Sequence, residues 1–221
     1  MTSPLHTEHQ AFEQLSRHRH AQGYVALVLE GGYVEAGAGG RLRVQAGEVV
    51  FHRAHEAHQN QFGARGARVL NLPLPAGLCE DWTLGELGDA DAVVRLAERD
   101  PVQAAALLRQ EFRPGGTRLN DWPDLLAAAL WADTALDLGA WAEGMGLAPA
   151  SLSRGFRRAY GTSPKRYRLE QRALQALRRL PHWPDTLAAL AAETGFADQA
   201  HLGRSLQALT GHAPGRLRQP G

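Results

Sequence analysis

The chain has 221 residues, 44% hydrophobic and 21% charged, which is ordinary for a globular protein and excludes disorder as a starting assumption. Its net charge of +1 hides an asymmetry: residues 122–221 hold twelve Lys/Arg against eight Asp/Glu, and residues 1–121 hold twelve against fifteen, so the basic excess lies in the C-terminal part. One cysteine, Cys79, excludes an intrachain disulfide and suits a reducing compartment; with no signal-peptide pattern at the start and no apolar run of about 20 residues, a cytoplasmic chain with no membrane contact is expected.

In chain order, seven of the ten histidines come first: His6, His9, His18, His20, His52, His55 and His58. From Gly23 to Pro73 short β-rich runs alternate with glycine turns. Tyr24–Leu29 is followed by a turn at Gly31-Gly32, Tyr33–Glu35 by a turn at 37–40, and Arg41–Val44 alternates polar and apolar residues. Gly47 then precedes Val49–Phe51, and Ala67–Leu72 alternates again. This spacing predicts a small antiparallel β-barrel or sandwich. The pattern turns helical near Asp89. Asp100-Pro101 reads as an N-cap with proline in the first turn, Ala104, Leu107, Leu108 and Phe112 share one face, and Pro114-Gly115-Gly116 stops the helix. Asn120-Asp121-Trp122-Pro123 starts another, whose Leu125–Ala132 run reads as a buried soluble helix. The expected domains are therefore 1–80, a helical linker 81–121, and an all-α domain 122–221, with the boundary inside 113–121.

The C-terminal half repeats itself. At an offset of 49, Leu138, Ala140, Ala142 and Gly146 fall on Leu187, Ala189, Ala191 and Gly195; after one inserted residue, Leu152, Arg154, Gly161, Pro164, Arg166 and Arg168 fall on Leu202, Arg204, Gly211, Pro214, Arg216 and Arg218. Each copy has an aspartate at the expected N-cap (Asp137, Asp185), a short helix with an inward alanine, a glycine suited to a left-handed turn, and a second helix with a buried stripe. That is the helix-turn-helix plan. A plain helical bundle is the bland alternative, but the second helices carry polar faces: Ser151, Ser153, Arg154, Arg157 and Arg158 in the first copy, Gln199, His201 and Arg204 in the second. Between Ala150 and Leu180 nine basic residues accompany one acid, Glu170. A solvated face usually mixes signs, so a phosphate backbone is the natural partner.

The segment from about Leu125 to Gln219 resembles the DNA-binding domain of the AraC/XylS family of transcription regulators. The resemblance is carried by Ala191, Gly195-Phe196, Asp198-Gln199, Gly211 and Pro214 in the second copy, and by Ala142, Leu152-Ser153-Arg154, Phe156, Gly161 and Ser163-Pro164 in the first. The chain departs from the family pattern at Leu202 and Leu206, where an aromatic is usual, at Gln207, where lysine is, at Gly203 inside the second recognition helix, and at Ala148 and Ala197, where a capping serine is common. The resemblance implies a regulator that binds double-stranded DNA through Ser151, Ser153, Arg154, Arg157, Arg158, Gln199, His201 and Arg204, with RNA polymerase and a second copy of the chain as further partners.

The N-terminal half is similar to the two half-motifs of cupins, through Ser16–His20 and Gly47–His52 leading to Glu56-Ala57-His58. His18 and His20, alternating on one strand, and His58 on a neighbour then converge as a metal or small-molecule effector site. The glutamate that metal cupins place shortly after the second histidine is absent; Glu35 is the nearest later candidate. A divalent transition metal and an apo pocket of hydrogen-bonded histidines both remain open, and His52 and His55 read as surface residues of a loop. The expected fold is thus α+β, a cupin-like barrel followed by two helix-turn-helix units. The helices between Asp89 and Phe112 are expected to carry coupling, with Val93, Val94, Leu96, Leu107 and Leu108 facing a dimer partner or the barrel wall. The rival function is a metal-dependent cupin enzyme with a helical appendage.

Overall fold

The structure, a computed structural model, describes residues 5–74, 82–133 and 135–218; Cys79 lies outside the described residues. The chain divides into two compact units, Met1–Leu119 and Asn120–Gly221.

The first unit is an antiparallel sheet with two helices. Its strands are β1 (His6–His9), β2 (Gln14–Arg19), β3 (Tyr24–Gly37), β4 (Gly40–Gln45), β5 (Glu48–His52), β6 (Ala57–Pro73), β7 (Leu84–Leu87), β8 (Phe112–Pro114) and β9 (Thr117–Arg118), with helices α1 (Ala90–Ala97) and α2 (Pro101–Glu111) between β7 and β8. The main path runs β1-β6-β3-β5-β7-β8, with β2 added on β6 and β4 on β3 and β9. Among the described residues these pairings form an open path and do not close into a barrel; β5 takes 24–27 of β3 while β4 takes 32–37, and β1 takes 67–70 of β6 while β2 takes 57–61.

The expected turn at Gly31-Gly32 is instead an irregularity inside one long strand. The β3–β6 register shifts between Val28 and Glu30 and again between Gly31 and Tyr33. Gly31 has φ +72, and a Cβ there would lie 2.0 Å from the Gly66 carbonyl oxygen, so only glycine lets the two strands approach. The bulge changes which parity faces inward. Ala26 and Val28 belong to one cluster with Val44, Val50, Phe62 and Val69, and beyond the bulge Tyr33 joins the same cluster. The opposite face, with Val25, Leu27, Phe51, Leu70 and Leu72, packs on Val93, Ala104 and Leu108 of α1 and α2. Burial on both faces is why Tyr24–Leu29 reads as a continuous apolar run rather than an alternation.

Residues expected to form a linker are therefore core of the first unit. Val93 and Leu108 are fully buried against the sheet, and Val94, Leu96 and Leu107 pack beside them; this face covers the sheet and is not left for a dimer partner. Asp100 caps α2 as expected, accepting from the Val102 and Gln103 N–H groups. Phe112, expected on the face of the helix, and Pro114, expected to begin its stop, instead form a strand that pairs with β7.

The second unit is all-helical: α3 (Trp122–Ala132), α4 (Leu138–Gly144), α5 (Pro149–Tyr160), α6 (Pro164–Arg179), a 3₁₀ turn (Leu180–His182), α7 (Leu187–Glu193), α8 (Gln199–Thr210) and α9 (Pro214–Leu217). Leu152, Phe156, Tyr160, Tyr167, Leu174, Leu190, Leu202 and Leu206 make its core. Phe156 stacks on Tyr160, and Tyr167 meets both edge-on. No helix among the described residues is long and apolar enough to cross a membrane.

Candidate nucleic-acid interface and histidine pocket

The two copies in the second unit close their turns with the same hydrogen bonds. Gly146 and Gly195 stand at φ +66 and +76. The Gly146 N–H donates to Glu143 O and Leu147 N–H to Ala142 O; the Gly195 N–H donates to Ala192 O and Phe196 N–H to Ala191 O. The six-residue closure is the Schellman pattern, which satisfies orphan carbonyls at a helix end and needs a left-handed residue. Ala142 and Ala191 are buried beneath each turn. Asp137 caps α4 as expected, accepting from Gly139 and Ala140 N–H, and these two bonds hold its carboxyl below its ordinary pKa. The cap of α7 is not Asp185 but Thr186, whose hydroxyl accepts from Ala189 N–H; the offset of 49 that aligns the leucines also carries Asp137 to 186, not 185.

The repeat also has a structural arginine. Arg168 donates to the Leu136 carbonyl, and Arg218 donates to those of Trp183 and Asp185, so both tie the end of the copy to the start of its first helix. Along α6, Arg166 pairs with Glu170, Arg178 lies over the Trp131 ring, and Arg179 pairs with Glu193 while lying over Trp183. Part of the basic run is thus engaged within the unit.

Helix α5 differs. Ser151, Ser153, Arg154, Arg157 and Arg158 are all exposed, the helix contains no acid, and the three arginines make no hydrogen bond or ion pair with the described residues. Its opposite face is pinned: Tyr160 OH donates to the buried Asp124 (2.8 Å), whose other oxygen accepts from Asp121 N–H. In α8, Gln199 and Arg204 are exposed, while His201 is half-buried with its ring edge-on to Phe196. The family departure at Ala197 is absorbed by Asp198, which caps α8 by accepting from His201 N–H; Ala148 leaves α5 without a side-chain cap.

In the first unit the expected histidines do come together. His18 of β2 is in register with His58 of β6, His20 follows the end of β2, and ring centroids lie 4.4 Å (His18–His58), 5.1 Å (His18–His20) and 5.5 Å (His20–His58) apart. They line a pocket of about 150 Å³ with Tyr24, Tyr33 and Asn60. His18 Nδ1 lies 2.8 Å from the Ser16 carbonyl oxygen; a carbonyl only accepts, so Nδ1 carries a proton in this contact. His20 Nε2 and His58 Nδ1 are buried without a hydrogen-bond partner.

Two residues enlarge this cluster. His52, expected at the surface, is buried: it ends β5, is in register with Tyr24 on β3, and stacks on its ring at 4.4 Å. Glu35 is buried beyond the bulge, accepts from Asn60 Nδ2 at 3.0 Å, and has Oε2 3.6 Å from His52 Nε2. Burial pushes the Glu35 carboxyl up to about 8 despite the Asn60 bond. Burial, then the neighbouring histidines, pushes His52 down to about 3 and His58 well below its ordinary value, and His20 is lowered by the same two causes. Both shifts favour the neutral forms of the Glu35–His52 pair, and the lowered imidazoles favour the unprotonated form that ligates metals. The sequence cue for His52 is its place directly after Val49–Phe51, where an inward strand position follows; Glu35 is the nearest later candidate for the missing glutamate, but the bulge resets its parity, so its partners His52 and Asn60 are not readable from the sequence. His55, at φ +66, lies in the β5–β6 connection.

Residues 141–220 match the family described as a helix-turn-helix domain. The arabinose operon regulatory protein of Escherichia coli K12 is 27% identical over 168 residues, covering 76% of this chain and 54% of the relative. Residues 141–220 thus carry a helix-turn-helix domain, in a chain similar to the arabinose operon regulators. It spans about half the length of the curated relatives it matches. Among solved structures, the C-terminal domain of AraT, a response regulator from Geobacillus stearothermophilus, is 20% identical over 46% of this chain and 87% of that one, with a TM-score of 0.42. ToxT of Vibrio cholerae with a bound unsaturated fatty acid is 10% identical over 96% and 93% of the two chains, with a TM-score of 0.41.

Proposed function

We propose that this AraC-family chain is a sequence-specific transcription regulator acting on double-stranded DNA in the cytoplasm, with α5 and α8 as its recognition helices and the sheet unit as its input module. The observation that carries the reading is the α5 face: three exposed arginines and two serines, with no acid on the helix and, among the described residues, no ion pair to neutralise them. Such a face suits a polyanion whose grooves admit a helix. Arg154, central on it, has the fork geometry to donate two hydrogen bonds to guanine, and Arg157 and Arg158 suit phosphates. Gln199 and Arg204 extend the contact from the second copy, where His201 contributes less because its ring packs on Phe196. Two such helices reading one DNA face enter successive major-groove segments about 34 Å apart.

The sheet unit is read as a cupin-like barrel left open on one side, holding a small effector or metal ion among His18, His20 and His58. About 150 Å³ is below the several hundred Å³ of pockets for drug-sized ligands. An effector acts only through different affinities for the DNA-binding and non-binding states. A homodimer and contact with RNA polymerase complete the regulator reading.

The test is a shift assay on genomic fragments selected by the purified chain. Arg154→Ala should weaken specific binding by about 1–3 kcal/mol and relax the preference at one base pair. An equal loss on selected and random DNA makes Arg154 a phosphate contact; no shift by the parent at low salt overturns the reading.

A further inference from the structure

We propose that Glu35, His52 and His58 hold a divalent transition-metal ion, in an inner site that is distinct from the His18/His20 pair and shares only His58 with it. The three ligand-bearing atoms lie within 4.8 Å of one another, and all three residues are buried. They come from three different strands, β3, β5 and β6, so an ion here cross-links the sheet.

The spacing fits an ion better than it fits a direct contact. His52 Nε2 and Glu35 Oε2 are 3.6 Å apart, too far for a hydrogen bond. Two ligand atoms each about 2.0–2.1 Å from a tetrahedral ion sit roughly 3.3 Å apart, so bringing this pair onto an ion takes a few tenths of an ångström. The buried His58 Nδ1 has no partner, an arrangement that is costly unless something else satisfies it. The donor set is also the right one. A buried divalent ion needs its charge offset, and Glu35 supplies a carboxylate that the three-histidine cluster lacks. Two imidazoles and one carboxylate suit zinc or ferrous iron. The outer shell is already in place: Asn60 fixes Glu35 (3.0 Å) and the Tyr24 ring fixes His52, as orienting partners do in metal sites.

The proposal stands apart from the DNA-binding reading, because its test measures metal alone. The full-length chain is stripped with a chelator and titrated with Zn²⁺ against a chromogenic competitor, and Co²⁺ absorption reports the ligand set. Glu35→Gln and His52→Ala should each weaken Zn²⁺ binding at least about 100-fold, and Asn60→Ala about 10–100-fold, as loss of an orienting partner does. The His18→Ala/His20→Ala double variant should stay within about tenfold of the parent and keep its Co²⁺ spectrum. Each variant is first checked for the parent's circular dichroism; where His52→Ala fails that check, Glu35→Gln, nearly isosteric, decides. Binding lost in the double variant but kept in Glu35→Gln overturns the proposal in favour of the outer cluster. Binding kept in all variants assigns the metal to the surface, and no binding by the parent removes the site; both also overturn it.

Discussion

Each proposed recognition helix contains one glycine, and the same substitution at the two positions should have opposite signs. Alanine is favoured over glycine inside a helix by about 1 kcal/mol. At Gly203 of α8 a Cβ meets only Pro214 Cγ at 3.8 Å, an ordinary contact, so Gly203→Ala should stabilise the unit by about 1 kcal/mol. At Gly155 of α5 the same atom falls 2.3 Å from Trp122 Cζ2 and 2.8 Å from Cη2. An indole ring cannot yield by bending, so Trp122 or the helix must shift, and overpacking of this kind costs about 1–3 kcal/mol. Set against the helix gain of about 1 kcal/mol, Gly155→Ala should lie between neutral and about 2 kcal/mol destabilised, and the two variants should differ by about 1–3 kcal/mol. Urea unfolding followed at 222 nm, where the helices of residues 120–221 dominate, reads this as midpoint shifts of opposite sign at constant slope. Stabilisation by Gly155→Ala equal to that by Gly203→Ala would refute the packing of Trp122 on α5.

Tyr160→Phe removes the donor to a buried carboxylate while keeping the ring stack; it should cost about 1–3 kcal/mol in the same assay, and weaken DNA binding by loosening α5. Asp198→Ala should cost about 1 kcal/mol through loss of the α8 cap, whereas Ala197→Ser, restoring the residue usual in the family, should change the midpoint little. Asp137 is held below its unfolded pKa, so its contribution is complete above the unfolded value near 4 and is lost as pH falls through the lowered folded value. Asp137→Asn keeps a capping side chain without that titration; thermal unfolding across acidic pH should show the parent losing stability relative to the variant as pH drops, and parallel curves would refute the assignment.

The helical half was legible because its information is local and stated twice. A left-handed glycine, an inward alanine and a buried i, i+4 stripe each mark one residue, and the repeat checks one copy against the other. The sheet half was legible only where side-chain alternation survives. His18 and His20 obey it, and so were placed correctly beside His58. Tyr24–Leu29 does not, since both faces of β3 are buried. The bulge around Leu29 then carries Tyr33 onto the face of Val28 across an odd number of residues, and Glu35, two residues on, meets Asn60 and His52. A reading by parity alone cannot connect Glu35 to His52, because the connecting fact is an unpaired residue set by the approach of Gly31 to Gly66. Phe112–Pro114 was misread for a related reason: Pro-Gly-Gly signals where a helix stops, but not that the residues just before it find a strand partner in β7.

The two copies also show which parts of the repeat the fold requires and which it leaves open. Both retain the glycine closure and the arginine that reaches back to the carbonyls before the first helix. Those bonds close the turn between the two helices of each copy and tie its end to its start. The caps are exchanged freely: Asp137 in one copy answers to Thr186 in the other, and the uncapped Ala148 to Asp198. A cap needs only a short oxygen-bearing side chain at the residue before the helix, so its identity can change while its position is kept. The exposed faces differ most. The first copy puts on α5 three arginines with no ion pair among the described residues, while the second commits His201 to Phe196 and offers Gln199 and Arg204. With the scaffold common to both, the proposed reading puts any difference in DNA contact between the two helices on these surface residues. Sequence preference should therefore be sharper over the half-site read by α5 than over the one read by α8.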